Sequence, residues 1–350
     1  MSESEELHKG LEGMLVAESA LSYIDGSVGK LVYRGYDIEE LARNASYEEV
    51  LHLLWHGHLP DAGEFDAFTG AITEEQSVDD TVLEALAGLA AADESPMAAL
   101  RSGVSMLSAS DSDDADPRDP EAALAKGRRI TAKLPTLLAA YDRLRRGEDT
   151  IEPHADLSLA ANFLYMLTGE EPDDAATEAM DQALVLHADH GLNASTFTAM
   201  VVASTFADMY SAVTAGVGAL SGPLHGGANQ DVMELFFEIE AQGADPVEYV
   251  TTKQGDEDGW RVPGYGHRVY EVKDPRARIL EQRGKELTAA SGDTSYYDYA
   301  KAIERFFTEE KGLAERGIAP NVDFFSGTVY HQLGIPVDMY TPIFAMSRAG

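Results

Sequence analysis

The sequence predicts a predominantly α-helical protein with a short β hairpin near its N-terminus. Extended, β-type runs are confined to residues 13-36, apolar helical patterns fill most of the remaining chain, and capping signals punctuate them. With 350 residues and 44% hydrophobic content, the chain can bury one large or two medium cores.

In GMLVAESALSYIDGSVGKLVYRGY (13-36) the Asp25-Gly26 turn signal separates two short extended runs. Helices follow: Asp37 with Glu40 and Ser46 with Glu49 have the spacing of N-cap and capping-box pairs, and Gly57 followed by Pro60 stops the second helix. Residues 79-107 and 121-146 read as amphipathic helices, the latter kinked or restarted at Pro135, with DSDDADPRDPE between them as a solvated acidic loop. Residues 155-169 and 175-222 continue helical. Small side chains abound along 194-220, which predicts closely packed helices central to the fold or to a subunit interface. Beyond 221 come a helix at 229-242, a loop through 254-266, helices at 274-290 and 296-316, and a final apolar stretch. The pattern subdivides near 221 and returns near 330, and no repeat of fixed period is present.

The chain has no cysteine, which excludes disulfides, thiolate zinc sites and thiol nucleophiles together. No run approaches the roughly 20 apolar residues that span a bilayer, and the N-terminus MSESEELHKG is acidic where a signal peptide is basic and then apolar. A cytoplasmic protein is expected. The net charge is -35, with 17 Arg and only 9 Lys, and the acid is spread along the whole chain. Such a surface repels nucleic acid and anionic membranes and stays dispersed in high salt, so neither partner is expected and a salt-loving source is. Basic residues are unevenly placed: none occurs between Arg146 and Lys253, and then Lys253, Arg261, Arg268, Lys273, Arg276 and Arg278 arrive together. In so acidic a chain that cluster marks an anion-handling region, unless the neighbouring acids simply neutralise it.

Four of the ten histidines sit in suggestive settings. His225 lies in SGPLHGGANQD (221-231), where Gly222, Gly226 and Gly227 permit close approach of a ligand to the main chain. An ordinary turn between helices is the plainer reading. His187 and His190 stand three apart and with His225 suggest zinc, but HExxH is absent and no metal is expected. His267, in PGYGHRVY, falls inside the basic cluster, and Arg276 follows Asp274-Pro275 at a helix start. A histidine that donates to a carbonyl and an arginine that grips a carboxylate suit a small keto acid. Alternatively, Arg276 is only a partner for Asp274 or Glu271. In NVDFFSG (321-327) Asp323 is hemmed by Val322, Phe324 and Phe325, so its pKa is expected to rise into a general base's range, unless it is a helix cap. Arg348 closes the set.

Seven strings, IDGSVGKLVYRGYDIEELA, LSLAANFLYMLTG, LHADHGLNASTFTAMVVASTFADMYSAV, GALSGPLHGGANQDV, PGYGHRVYEVKDPRA, NVDFFSGTVYHQLGIP and FAMSR, occur with the order and spacing of the citrate synthase family, which the chain closely resembles. The resemblance implies an almost wholly helical homodimer with a large domain (1-220 and 330-350) and a small domain (221-329) that closes over the substrates. It implies condensation of acetyl-CoA with oxaloacetate and water to citrate and CoA, as in the tricarboxylic acid cycle, with no metal and no cofactor, the CoA thioester being a substrate. Residue by residue, Asp323 matches the base, His225 the donor to the thioester oxygen, and His267 the donor to the oxaloacetate carbonyl. His190, Arg276 and Arg348 match the groups that hold oxaloacetate. Trp260, Arg261, Val262, Pro263 and Gly264 match a segment lining the CoA site, and Ser195 is expected to accept from His225 and fix its tautomer. His225 is expected to feel the positive end of the helix that follows it.

Two departures from the family pattern stand out. Glu271 occupies a position often basic in relatives, leaving Lys273 or Arg268 as substitutes toward the CoA phosphates. The chain stops at Gly350, where relatives continue to a further arginine, so either a truncated chain or the loss of that contact is expected. A 2-methylcitrate synthase using propionyl-CoA, a non-catalytic relative and a metal-dependent hydrolase are the rival readings.

Overall fold

A computed structural model describes residues 16-113 and 115-350. The expected extended run thus begins, at 13-15, outside the described residues. Three short antiparallel strands form a sheet in the order β1 (Ser22–Asp25), β2 (Lys30–Tyr33), β3 (Tyr36–Asp37). The third strand exceeds the expected hairpin. Arg34 and Gly35, both at positive φ (48° and 98°), make the tight turn that adds it, and an arginine gives no sequence signal for that conformation.

The helices are set by their caps. Asp37 caps α1 (Ile38–Asn44) through the Glu39 amide, and Ser46 with Glu49 completes a capping box on α2 (Tyr47–His56), which ends at left-handed Gly57. A second box, Asp61 with Glu64, starts α3 (Ala62–Glu74), a helix the sequence reading lacks. The stretch 79-107 divides into α4 (Asp80–Ala91) and α5 (Pro96–Met106), because Ser95 caps and Pro96 starts the second. By contrast α6 (Pro120–Arg145) runs unbroken through Pro135.

The acidic loop ahead of α6 is less solvated than expected. Arg129 pairs with Asp111 and Asp113, and the Tyr210 hydroxyl donates to Asp111. Next come α7 (Leu159–Thr168) and α8 (Asp174–His187). Residues 175-222, expected to be helical, form three helices: after α8, Asn193 caps α9 (Ala194–Ala203), and Asp208 caps α10 (Met209–Leu220) after Phe206 turns the chain at φ 61°. The small residues of this stretch let α9 and α10 pack closely, a Cβ at Gly216 lying only 3.4 Å from the Ser195 carbonyl oxygen.

Helix α11 (Ala228–Gln242) follows Gly227, and α12 (Pro246–Asp256), capped by Asp245, occupies the start of the expected loop. Then come α13 (Pro275–Ser291), α14 (Ser295–Arg305), α15 (Asp323–Gln332) and α16 (Tyr340–Arg348). The expected helix 296-316 continues past Arg305 only as a π turn, and left-handed Gly312 separates it from a short 3-10 segment. Helices α11, α13 and α14 pack against α15, while α8 packs on α1, α2, α7 and α16. The core is continuous, from Leu31 and Tyr33 through Val185 and Leu186 to Phe324 and Tyr340.

Candidate active site

A cavity of about 690 Å³ is lined by His190, His225, His267, Arg276, Asp323 and Arg348, six residues from five separate segments of the chain. The sequence-predicted set is therefore brought together, and each member is held by identifiable contacts.

His190 sits in the loop after α8. The Tyr33 hydroxyl anchors that loop by donating to the Asp189 carbonyl at 2.8 Å, and Gly191 turns it at φ 65°. The His190 Nε2 lies 3.2 Å from the Tyr270 hydroxyl, and its ring meets those of His267 and Tyr270 edge-on at 5.2 and 5.5 Å. Burial first, then the nearby Arg276 and Arg348 charges, push its pKa far down, so it is neutral.

His267 accepts hydrogen bonds at Nδ1 from the Val269 and Tyr270 amides, at 2.9 and 3.2 Å. An amide can only donate, so the ring proton is on Nε2. Burial, followed by Arg276, lowers the pKa to about 4. The loop carrying it is stitched to the segment ahead of α15: the Gly266 amide donates to Ala319, and the Asn321 amide and side chain donate to Gly264 and Gly266.

His225 lies in the 221-226 turn. Its Nε2 is 3.2 Å from the Ser195 amide and 2.8 Å from the Ser195 hydroxyl. The amide fixes Nε2 as an acceptor, so the proton sits on Nδ1 and Ser195 donates, the reverse of the expected direction. Ser195 is in the first turn of α9, where amides lack intrahelical carbonyl partners and turn to side chains, Ser195 to His225 and Thr196 to Asn193. The positive helix end facing the imidazole is thus that of α9, not α11 as expected. Burial and Arg348 depress the His225 pKa.

Asp323 opens α15, with its amide donating to Asn321 Oδ1 at 2.9 Å. It caps nothing with its side chain. Burial raises its pKa to about 6, against the lowering influence of Arg276.

The two arginines differ. Arg276 is fully buried and gives Nε and Nη2 to the buried Asp274 at 3.0 and 2.7 Å, as the alternative sequence reading held. Its Nη1 forms no hydrogen bond among the described residues. Arg348 donates Nε to the His187 carbonyl and lies 4.6 Å over the Phe344 ring, but its buried Nη2 has no partner among the described residues. Burial lowers the Arg348 pKa to about 10. A buried, unanswered guanidinium edge at a cavity wall is a site for an anion.

Other expectations meet different positions. None of Trp260, Arg261, Val262, Pro263 and Gly264 lines this cavity: Val262 is buried in the core, and Gly264 packs where a Cβ would stand 2.9 Å from the Phe324 Cα. Lys273 is engaged with Glu281 and Glu304 and lies over Phe325, so of the two proposed substitutes for Glu271 only the exposed Arg268 lines the cavity. His187 is buried with Nδ1 donating to Ala183, and it forms no zinc cluster with His190 and His225. Sequence reasoning missed the roles of Tyr270 and Asn321, which are visible only once the loops are stitched.

A family model described as citrate synthase, C-terminal domain, matches residues 10-350. The chain is 58% identical to the citrate synthase of Haloferax volcanii over 99% of its own length and 90% of that relative's. It is 45% identical to citrate synthase 2 of Bacillus subtilis, over 97% and 88%. It also superposes with a TM-score of 0.90 and 32% identity on the ternary complex of carboxymethyl coenzyme A and oxaloacetate with citrate synthase from Thermoplasma acidophilum, covering 99% of this chain and 90% of that one.

Proposed function

The chain belongs to the citrate synthase family, and from that premise we propose how its cavity condenses acetyl-CoA with oxaloacetate and water to citrate and CoA. The observation that carries this reading is that Arg348, whose buried Nη2 has no hydrogen-bond partner among the described residues, lines the same cavity as a carboxyl group raised to about 6. A dicarboxylate answers the first, and a weakly acidic C-H needs the second.

Oxaloacetate binds with its carboxylates toward Arg348 Nη2 and Arg276 Nη1, beside neutral His190, with Asp274 holding the Arg276 fork. His267 Nε2-H donates to the keto oxygen and makes that carbon electrophilic. Asp323 takes a proton from the acetyl methyl group while His225 Nδ1-H donates to the thioester oxygen. Such preorganised donors supply several kcal/mol, about 3 for one removed donor. The enol carbon attacks the polarised carbonyl, the keto oxygen takes up a proton, and water then hydrolyses the thioester to release CoA.

The segments 1-220 and 330-350 form one domain and 221-329 a second that closes on the first. Mutual packing of α11 to α14 supports this, while α15 (Asp323–Gln332) runs across the 329/330 boundary and also packs on α8. A homodimer is supported by α9, which buries no residue, by its exposed Met200 and Val201, and by exposed Phe206 just after it. The reading is tested by thiol release from acetyl-CoA and from propionyl-CoA, each with and without oxaloacetate, in molar potassium chloride. Oxaloacetate-dependent release with acetyl-CoA preferred is expected. A large preference for propionyl-CoA overturns the choice of acyl group.

A further inference from the structure

A second histidine cluster lies outside the cavity, at the turn from α2 into α3. One ligand-type atom from each of His52, His58 and Glu64 falls within 4.8 Å of the other two. Among the described residues no other three metal-ligating side chains converge in this way. We propose that His52, His58 and Glu64 form a site for zinc or a similar borderline divalent cation, which clips this turn and takes no part in the condensation.

The backbone builds the site. Left-handed Gly57 ends α2 and folds His58 back over the helix, so that the His58 carbonyl accepts from His52 Nδ1 at 3.0 Å. That bond leaves His52 Nε2 with a free lone pair, and an imidazole anchored through its other nitrogen to a carbonyl is the usual support of a metal ligand. His58 Nδ1 is similarly near the His56 carbonyl, at 3.4 Å, and its Nε2 is 3.2 Å from both Glu64 oxygens. Glu64 in turn is fixed by accepting from the Asp61 amide at 2.9 Å. A proton between His58 and Glu64 thus occupies a place that a dication fills more strongly, and binding releases that proton.

Two imidazoles and one carboxylate suit zinc and its neighbours better than calcium or magnesium, which prefer oxygen alone. The fourth position is open to water or to His56, whose ring centroid is 4.4 Å from that of His52. Phe68 packs edge-on against both rings and shields one side, while His58 and Glu64 are exposed and admit the ion. The alternative is a bare His58-Glu64 ion pair.

The test uses untagged, chelator-stripped protein and zinc chloride, with wild type beside His58→Ala and Glu64→Gln, the latter keeping an acceptor for the Asp61 amide. Isothermal titration and elemental analysis after gel filtration are expected to give one zinc per wild-type chain, bound about tenfold or more tighter than in either variant. Zinc is expected to raise the melting temperature of wild type only, with thiol release in chelator equal for all three. Wild type that retains no zinc, or variants that bind it as well as wild type with matched melting in chelator, overturn the proposal. Thiol release that falls in either variant overturns the separation from the condensation.

Discussion

His225 Nε2 faces Ser195 twice, with the serine amide at 3.2 Å and its hydroxyl at 2.8 Å. Both bonds leave the Nδ1 proton free for the cavity. Ser195→Ala keeps the amide and loses the hydroxyl, a neutral hydrogen bond worth about 1 kcal/mol. A kcat about five- to tenfold lower is expected, with the KM for oxaloacetate unchanged, and steady-state kinetics check it.

Asp323 governs the acid limb of activity. His267, with a pKa of about 4, and His190, pushed further down, are neutral near pH 6, so kcat/KM is expected to fall about tenfold per unit just below the Asp323 pKa of about 6. Asp323→Asn is expected to lower kcat by at least about a thousandfold. Stability moves the other way. The native carboxyl binds its proton more tightly than the unfolded one, so the Asp323 contribution to stability is lost as pH rises from about 4 to 6. The variant has no such loss, and its melting temperature is expected to exceed wild type's above pH 6, with the gap closing near pH 4.

Arg348→Gln removes the unanswered guanidinium edge. A charged hydrogen bond contributes about 1.5–3 kcal/mol, so an oxaloacetate KM about 10- to 100-fold higher is expected. Oxaloacetate also raises the wild-type melting temperature by binding the folded state. Loss of that rise in the variant is the independent check.

The charge of -35 makes stability salt-dependent. Self-repulsion within about 10 Å is screened only partly at 0.1 M salt and far more at molar concentrations. The melting temperature is expected to rise from dilute buffer to molar potassium chloride, and calorimetry at both salts decides.

What was legible in the sequence was local chemistry. Ser46 with Glu49 and Gly57 announce α2 because a cap is built from side chains a few residues apart. Asp323 between apolar neighbours announces its own raised pKa for the same reason. The direction of the Ser195-His225 bond was not legible, since it depends on an amide thirty residues away in sequence. Nor was the diversion of Lys273 to Glu281 and Glu304, which needs α13 and α14 side by side. His52, His58 and Glu64 share no helical face and so leave no periodic trace.

At the turn between β1 and β2, the space beside Gly26 is filled by the Val269 carbonyl oxygen, which a Cβ would approach to 1.7 Å, and the Gly26 carbonyl accepts from the Glu271 amide. This turn therefore waits for residues made about 240 positions later before it can finish packing. Early synthesis leaves that turn unclasped, and an alanine at 26 would keep the wait from ending, so that the fault would surface as slow or incomplete maturation of a chain whose every catalytic group is intact.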